Sequence, residues 1–183
     1  GDRFHSATLR HPTGQEDITA RAFIAACGGF QADFDWLKQG WGDKADNFLI
    51  RGTPYNRGTV TRMLIDQGLM QIGDASQCHA VAIDARAPRY DGGIITRLDC
   101  VVLGVVVNTH AQRFYNEGED IWPKRYAIWG RLVADQPDQK AFIIFDAPNI
   151  PRFMPSLYPP VSADSIAELA VKLGLDADAL GST

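Results

Sequence analysis

The sequence is short of cysteine and of long apolar runs, and each shortage excludes a class of protein. Its three cysteines, Cys27, Cys78 and Cys100, are an odd number at irregular spacing, which fits neither a zinc motif nor a disulfide framework. A reducing compartment is therefore expected, because disulfide frameworks are typical of oxidising ones. No apolar run approaches the roughly 20 residues that a membrane-spanning helix needs, and the first residues do not resemble a signal peptide. We expect a cytoplasmic protein without direct membrane insertion.

Positive charge is also scarce. The chain has 18 lysines and arginines against 22 acidic residues, a formal net charge of −4 and a pI near 5.5. A broad nucleic-acid surface is excluded, because phosphate neutralisation needs clustered lysine and arginine. A local cationic pocket stays compatible with this balance, since net charge describes solubility more than sites. The length of 183 residues and a hydrophobic share of 45% indicate one domain, or one and a half, with a sizeable core.

Hydrophobic periodicity predicts an α+β fold with short strands and several helices. Strands are predicted at 3–11, 17–26, 79–84, 94–96, 101–108 and 141–146, the second of them becoming continuously apolar as if buried on both faces. Helices are predicted at 33–41, 59–68, 119–134 and 162–174, with the start of another at 176. In the helix at 162–174, Ser162 is the expected cap and Gly174 the expected end.

Two glycine-bearing loops have the composition of ligand contacts. The paired glycines Gly28 and Gly29 follow an apolar segment and let the backbone turn sharply or approach a ligand closely. The loop at 51–59 leads into a helix, whose first N–H groups are available to an anion. A plain turn and an ordinary surface connection are the alternative interpretations.

The middle of the chain combines polar pairs with a strand and a charged segment, which indicates the wall of a pocket for a small, highly anionic molecule. It contains Gln77, Cys78 and His79, then the strand-like VVVN at 105–108, then RFYNE at 113–117. No nucleophile triad and no metal cage is present in this pattern, so no metal is expected.

Together with IAACGGFQA at 24–32, the 51–59 loop and Asp146, these segments resemble the flavoprotein family of fumarate reductase and succinate dehydrogenase, most closely its tricarballylate dehydrogenases. The resemblance extends over nearly the whole chain. It implies that residues 1–75 are part of an FAD-binding domain and that 76–183 are a capping domain that forms a lid over the substrate. The family's Gly-x-Gly-x-x-Gly fingerprint is missing from these residues. We therefore expect a piece of a longer enzyme that is inactive alone.

The resemblance also implies cofactor contacts, a substrate and a reaction. FAD is the expected cofactor, and its implied contacts are Gly28, Gly29, Gly52, Thr53, Gly58 and Thr59. The implied reaction is oxidation of a small polycarboxylic acid, such as tricarballylate to aconitate, by hydride transfer to the flavin. The electrons would then pass to a separate iron–sulfur partner in the membrane.

The substrate contacts implied by the family are Gln77, His79, Thr96 and Arg97. Arg97 occupies a position where many fumarate reductases have a glutamate, and we hypothesise that it recognises a third carboxylate. Arg125 is the implied acid–base residue, with Lys124 and Arg131 as rivals because an insertion blurs the register.

Each assignment has an ordinary structural alternative. His79 can be a hydrogen-bonded structural histidine, and Arg125 an exposed helix residue paired with Glu119 or Asp120. Trp122 and Trp129 are expected to belong to the core. For the whole protein, the alternatives are a fumarate reductase-like enzyme acting on another unsaturated acid and a non-catalytic carboxylate-binding or interaction module.

Overall fold

The computed structural model describes residues 4–91 and 95–183 and mixes short strands with short helices, in agreement with the α+β class. The strands are β1 (Ser6–His11), β2 (Gly14–Thr19), β3 (Val105–Asn108) and β4 (Ala141–Ile144). The α-helices are α1 (Phe34–Trp41), α2 (Thr59–Asp66), α3 (Trp122–Arg125), α4 (Trp129–Ala134), α5 (Ile166–Leu173) and α6 (Ala177–Ser182). Turns of 3₁₀-helix lie at Gly42–Asn47, Val101–Leu103, Tyr126–Ile128, Pro137–Gln139 and Ala147–Arg152.

The hairpin of β1 and β2 is exposed to solvent on nearly all of its residues. The two strands are antiparallel, with Ser6 opposite Thr19 and His11 opposite Gly14. The predicted second strand at 17–26 is wrong beyond Thr19, and residues 20–29 are exposed rather than buried on both faces. Alanines supply much of this apolar run, and alanine contributes too little surface to bury the segment against a partner.

Local capping rules account for the first helices. Asp33 accepts a hydrogen bond from Trp36 N at 3.0 Å, and Gly42, with a φ of 64°, ends α1. Both ends confirm the predicted helix at 33–41. Helix α1 packs into a core of three buried residues surrounded by partly buried aromatic side chains. This core contains Leu37, Ala45, Ile50, Phe30, Phe34, Trp41, Phe48 and Tyr90.

The strand predicted at 101–108 is divided by Gly104. Residues Val101–Leu103 form a 3₁₀ turn, and only Val105–Asn108 pair with β4. A Cβ atom at Gly104 would lie 2.1 Å from the carbonyl oxygen of Ile144, so only glycine allows the two strands to approach here. Strand β4 ends at Ile144 and is half-buried, shorter and more accessible than the predicted buried strand at 141–146.

The sheet of β3 and β4 separates two cores. One core contains Val101, Val106 and Trp129, and Trp129 is only 2% exposed, which confirms its expected core position. Trp122 packs against the same core from the side. The other core joins the strands to α5 and α6 through Val107, Ala111, Ala170, Leu175 and Leu180.

Two predicted helices differ from the structure. The helix at 119–134 begins at Trp122, with Pro123 in its first turn, and is interrupted by the 3₁₀ turn Tyr126–Ile128. Helix α5 is capped by Ser165, which accepts from Glu168 N at 3.1 Å, and not by Ser162. Gly174 ends α5 as predicted.

The strands predicted at 79–84 and 94–96 are wrong where the structure describes them. Segment 79–84 is extended but outside any ladder, with a single antiparallel bridge between Ile83 and Arg97. Ile95 and Thr96 lie in a turn, and Ile94 is outside the described residues. The hydrogen-bond partners of 79–84 include the backbone of a helix, which period-2 patterning does not detect.

Much of the RFYNE segment has a structural role. Glu117, 7% exposed, accepts a hydrogen bond from Val106 N at 2.7 Å and forms an ion pair with Arg113. The buried carboxylate thereby satisfies an N–H group of β3 that would otherwise lack a partner. Asn108 closes the turn that follows β3 by accepting from His110 N at 2.9 Å and from Gln112 N at 3.1 Å.

Replacing Glu117 by glutamine should destabilise the protein only above acidic pH. Burial opposes ionisation of Glu117, but the Arg113 guanidinium and the Val106 amide outweigh it and hold its pKa below the usual 4.5. A lowered pKa stabilises the fold above pH 4.5, and this contribution is lost as the pH falls through the folded-state pKa. We expect Glu117→Gln to lower the free energy of unfolding at pH 7 by about 1–2 kcal/mol.

Urea unfolding of wild type and Glu117→Gln between pH 3 and 7 would measure this difference, which should shrink as the pH falls. Glu16→Gln, on the exposed strand β2, is the matched control and should change stability little at any pH. A constant gap between wild type and Glu117→Gln across the range would contradict the assigned ion pair.

Candidate functional site

The predicted site residues fall into two groups. The first, called the glycine loops below, comprises residues 28–29 and 52–59. The second lies around the Gln77–His79 segment and the neighbouring Thr96 and Arg97. Arg125 belongs to neither group by its contacts.

The glycine loops contact each other. Ala32 N donates to Asn56 O at 3.0 Å, which ties the segment after Gly28 and Gly29 to the second loop. Gly28 has a φ of 81°, and a Cβ atom there would lie 3.0 Å from Asn56 Oδ1. The structure thus brings together two segments that the sequence separates by more than 20 residues.

Gly58 fixes how the second loop enters α2. Its φ is 69°, and a Cβ atom would lie 2.5 Å from the ring of Trp36 and 2.6 Å from Phe30 Cβ. No side chain caps the helix at Gly58, so the N–H groups of Thr59 and the following residues lack a side-chain acceptor at the cap. Arg62, one turn along, stacks on Trp36 with its guanidinium carbon 3.9 Å from the ring centre.

The remaining loop positions are more open. Gly52 has free space where a side chain would project. Thr53 is half-buried, and its hydroxyl accepts from Tyr55 N at 3.1 Å. A depression of about 290 Å³ lies beside them and is lined by Ala32, Phe34, Asp35, Pro54, Arg57 and Tyr90.

These residues fit part of an anionic dinucleotide such as FAD. Arg57 and the uncapped amides of α2 can bind phosphate oxygens, and the glycines permit close approach of the backbone. The depression is at the small end of ligand sites, which are roughly 300–1,000 Å³. The described residues would therefore contact such a cofactor along one side and would not enclose it.

The second group is built on an extended segment held from two sides. On one side, Ala80 N donates to Ala127 O at 3.0 Å, and Gly130 N donates to Ala80 O at 2.9 Å. On the other, Leu98 N donates to Ala82 O at 2.9 Å. The segment therefore links the α3–α4 region to the strand-like residues around Arg97.

Tyr126 is the residue on which this group converges. The imidazole of His79 packs edge-on against its ring, with centroids 5.1 Å apart. The guanidinium carbon of Arg97 lies 4.9 Å from the centre of the same ring, a cation–π contact. Trp122 lies one helical turn before Tyr126, with ring centroids 6.0 Å apart. We call His79, Arg97, Trp122 and Tyr126 the Tyr126 cluster.

Two predicted substrate residues have their polar groups engaged within the protein. Gln77 Oε1 accepts from Arg131 Nη1 at 2.6 Å. Thr96 is only 1% exposed, and its hydroxyl donates to Asp91. For Thr96 to reach a ligand, the surrounding turn would have to open.

Arg97 is likewise paired. Its Nη2 donates to Asp99 Oδ2 at 2.8 Å, and its Nε lies 2.7 Å from Asp99 Oδ1, although not at a hydrogen-bonding angle. The Asp99 carboxylate, as the main cause, raises the pKa of Arg97 further above its usual value. Asp99 also accepts from Trp122 Nε1 at 3.3 Å. The charge of Arg97 is therefore balanced by a neighbouring residue.

Two polar groups of the Tyr126 cluster remain uncommitted. Within residues 4–91 and 95–183, neither the ring nitrogens of His79 nor the hydroxyl of Tyr126 has a hydrogen-bond partner. His79 is exposed and Tyr126 is half-buried, so both are accessible to a ligand. These two groups are the chemically available donors of the site.

Arg125, which directly precedes Tyr126 in the sequence, is held by acidic side chains. It pairs with Glu119 at 3.0 Å and approaches Asp120 at 3.8 Å, which is the structural alternative given for it above. Lys124 pairs with Asp120 at 2.8 Å and is largely exposed. Of the three basic candidates, only Arg131 contacts a predicted substrate residue.

The thiols do not add a nucleophile. Burial raises the pKa of Cys100 to about 11. The pKa of Cys78 is also raised, because neighbouring atoms partly desolvate its sulfur although the residue as a whole is exposed. Cys27 is exposed. Among the described residues, no three His, Cys, Asp or Glu side chains gather in a way that would hold a metal ion. The helices of the same residues are all too short or too polar to cross a bilayer.

Sequence reasoning missed Tyr126, although a signal for it was present. Trp122 and Tyr126 are four residues apart, which places both rings on one face of a helix. The pairing of Arg97 with Asp99 was also open to inference, since the two residues are separated by one position and opposite charges attract at that range.

One solved structure that resembles this chain is the 3-ketosteroid-delta4-(5alpha)-dehydrogenase from Rhodococcus jostii RHA1, crystallised in complex with 4-androstene-3,17-dione. The TM-score is 0.65 at 20% sequence identity, over 99% of this chain and 35% of that one. Similarity at this level of identity establishes a shared fold, and the chain spans about a third of the dehydrogenase. No protein-family model and no curated protein sequence matches the chain.

Gly130 should be essential for placing the extended segment that carries His79. A Cβ atom at Gly130 would lie 2.7 Å from Val81 O and 2.8 Å from the carbonyl carbon of Ala80, both backbone atoms. We expect Gly130→Ala to lower the free energy of unfolding by about 1–3 kcal/mol and to speed hydrogen exchange at the Ala80 amide.

Gly181→Ala is the matched control, because Gly181 lies in helix α6 with open space around its Cα atom. It should be neutral or stabilising by up to about 1 kcal/mol. Equal losses of stability in the two variants would show that the close approach at Gly130 has no special importance.

Proposed function

We propose that this chain is part of an FAD-dependent dehydrogenase that acts on a CH–CH bond of a small polycarboxylic acid. The observation that carries the proposal is the meeting of His79 and Arg97 on the ring of Tyr126. The family resemblance of the sequence supports it independently. The likeness in fold to a steroid dehydrogenase supports the class of reaction and not the substrate.

The chain contributes two parts of the proposed enzyme. Residues 1–75 include both glycine loops and belong to the FAD-binding side. Residues 76–183 include the Tyr126 cluster and form the capping side. When bound, FAD would accept a hydride from the substrate. The residues of this chain would hold the cofactor along one side through Arg57 and the backbone amides at the start of α2.

The substrate is proposed to be an acid because the available side chains are donors and cations rather than an apolar wall. His79 and Tyr126 can donate to the oxygen atoms of a carboxylate and fix its orientation, and Arg131, bonded to Gln77, adds a positive charge beside the Gln77–His79 segment. Tricarballylate, with three carboxylates, is the specific substrate that the resemblance favours. A separate iron–sulfur protein in the membrane is the proposed electron acceptor.

For proton transfer, Arg125 stays a proposed candidate with Lys124 and Arg131 as its rivals, and the contacts favour Arg131. Arg131 reaches Gln77, next to the segment that carries His79, whereas Arg125 is occupied by Glu119. The pKa of an arginine in water is far above neutral, so such a role requires close contact with the reacting carbon.

Anaerobic reduction of the flavin tests this function in the full-length protein that contains the chain. Tricarballylate should bleach the oxidised flavin absorbance, succinate should do so more slowly, and 4-androstene-3,17-dione should have no effect. We expect His79→Ala to lower kcat/KM for tricarballylate by roughly 10²-fold while FAD stays bound.

His110→Ala is the control, because His110 is an exposed turn residue away from the cluster. It should leave turnover unchanged. Purification without flavin, or bleaching by the steroid alone, would overturn the proposed function.

A further inference from the structure

We propose that Tyr126 binds the substrate directly: its hydroxyl and the His79 imidazole together bind one carboxylate, while Arg97 positions the Tyr126 ring and does not contact the acid. This inference rests on the proposed function, since it names the group of that site that recognises the substrate. It replaces the hypothesis, drawn from the sequence, that Arg97 recognises a third carboxylate.

Three of the predicted substrate residues already have hydrogen-bond partners within the protein. Gln77, Thr96 and Arg97 are bonded to Arg131, Asp91 and Asp99. Arg97 Nε, which also makes no hydrogen bond, lies 2.7 Å from Asp99 Oδ1, so within the described residues the groups open to a ligand are the His79 ring nitrogens and the Tyr126 hydroxyl. A ligand oxygen can therefore bind them without first breaking a bond inside the protein.

Arg97 is held in a partly buried ion pair with Asp99. Its side chain and that of Asp99 are only 21% and 15% exposed, so their mutual attraction is weakly screened. A substrate carboxylate that took the guanidinium would leave Asp99 as an unpaired, largely buried charge, which is costly. Arg97 therefore keeps its pair with Asp99 and its present contact, with its guanidinium against the Tyr126 ring.

Backbone hydrogen bonds connect the segments that carry His79 and Tyr126. Ala80, next to His79, donates its N–H to the carbonyl of Ala127, next to Tyr126, at 3.0 Å. The backbone N–H of Tyr126 is bonded to Trp122 O at the end of α3. Backbone bonds thus set the 5.1 Å spacing of the two rings. The proposal places one bound carboxylate across these neighbouring rings, with one oxygen on the His79 imidazole and the other on the Tyr126 hydroxyl.

The substitution Tyr126→Phe tests the proposal most directly. Phenylalanine removes the hydroxyl and keeps the ring against which His79 and Arg97 pack. In the full-length protein, calorimetric titration should show tricarballylate binding weakened by roughly 10- to 100-fold, the usual cost of losing a hydrogen bond to a charged group. The melting temperature should stay close to that of the wild type.

Tyr115→Phe is the matched control. The Tyr115 hydroxyl donates to Glu119, so its loss should leave the affinity for the acid unchanged. Equal affinity in wild type and Tyr126→Phe would overturn the direct contact.

Substitution of Arg97 distinguishes a residue that positions Tyr126 from one that contacts the substrate. Arg97→Gln should weaken succinate and tricarballylate binding by the same factor, because a loosened Tyr126 ring affects any carboxylate. Weakening confined to tricarballylate would show that Arg97 contacts the third carboxylate and would overturn its positioning role.

The two proposals can fail separately. If wild type binds tricarballylate and Tyr126→Phe does not, but the flavin is never reduced, the binding role of Tyr126 stands and the dehydrogenase function fails. If the flavin is reduced by tricarballylate and Tyr126→Phe binds and reacts normally, the dehydrogenase function stands and the role of Tyr126 fails. Absence of binding by any polycarboxylate in the wild type would overturn the role of Tyr126.

Discussion

The arrangement of the candidate site depends on two backbone hydrogen bonds made by one residue. Ala80 donates to Ala127 and accepts from Gly130, so an extended segment lies directly against the α3–α4 region. Such close contact requires a residue without a side chain at position 130. Because these bonds involve only backbone atoms, the side chains of His79 and Tyr126 remain available for a ligand. Their spacing is therefore a property of the fold and not of their own mutual attraction.

The sequence predicted the elements whose signals are local. Asp33 and Gly42 mark the ends of α1, and Gly174 marks the end of α5, because capping depends on residues within one turn. The strand predicted at 79–84 was wrong because Ala80 bonds to Ala127 and Gly130, 47 and 50 residues further along the chain, and not to a neighbouring strand. Periodicity carries no information about such a partner.

The candidate site, like the fold, could be predicted from the sequence only in part. The family resemblance pointed to His79 and Arg97, and the structure places both on one aromatic ring. The short separation of Arg97 and Asp99 in the sequence allows an ion pair, but the structure was needed to show that it forms. The RFYNE segment shows the converse case, because Glu117 in this signature supports strand β3 through its carboxylate. A residue that identifies a fold is thus not always one that performs chemistry.

The distribution of the three thiols has a practical consequence. Cys27 adjoins Gly28 in the glycine loops, Cys78 adjoins His79 in the Tyr126 cluster, and both are exposed, whereas Cys100 is buried. Spin labels or fluorophores attached to the two accessible sulfurs would report the separation of the loop side and the lid side in solution, with no engineered cysteine. The two accessible thiols are thus natural attachment points from which the distance between the glycine loops and the Tyr126 cluster can be measured.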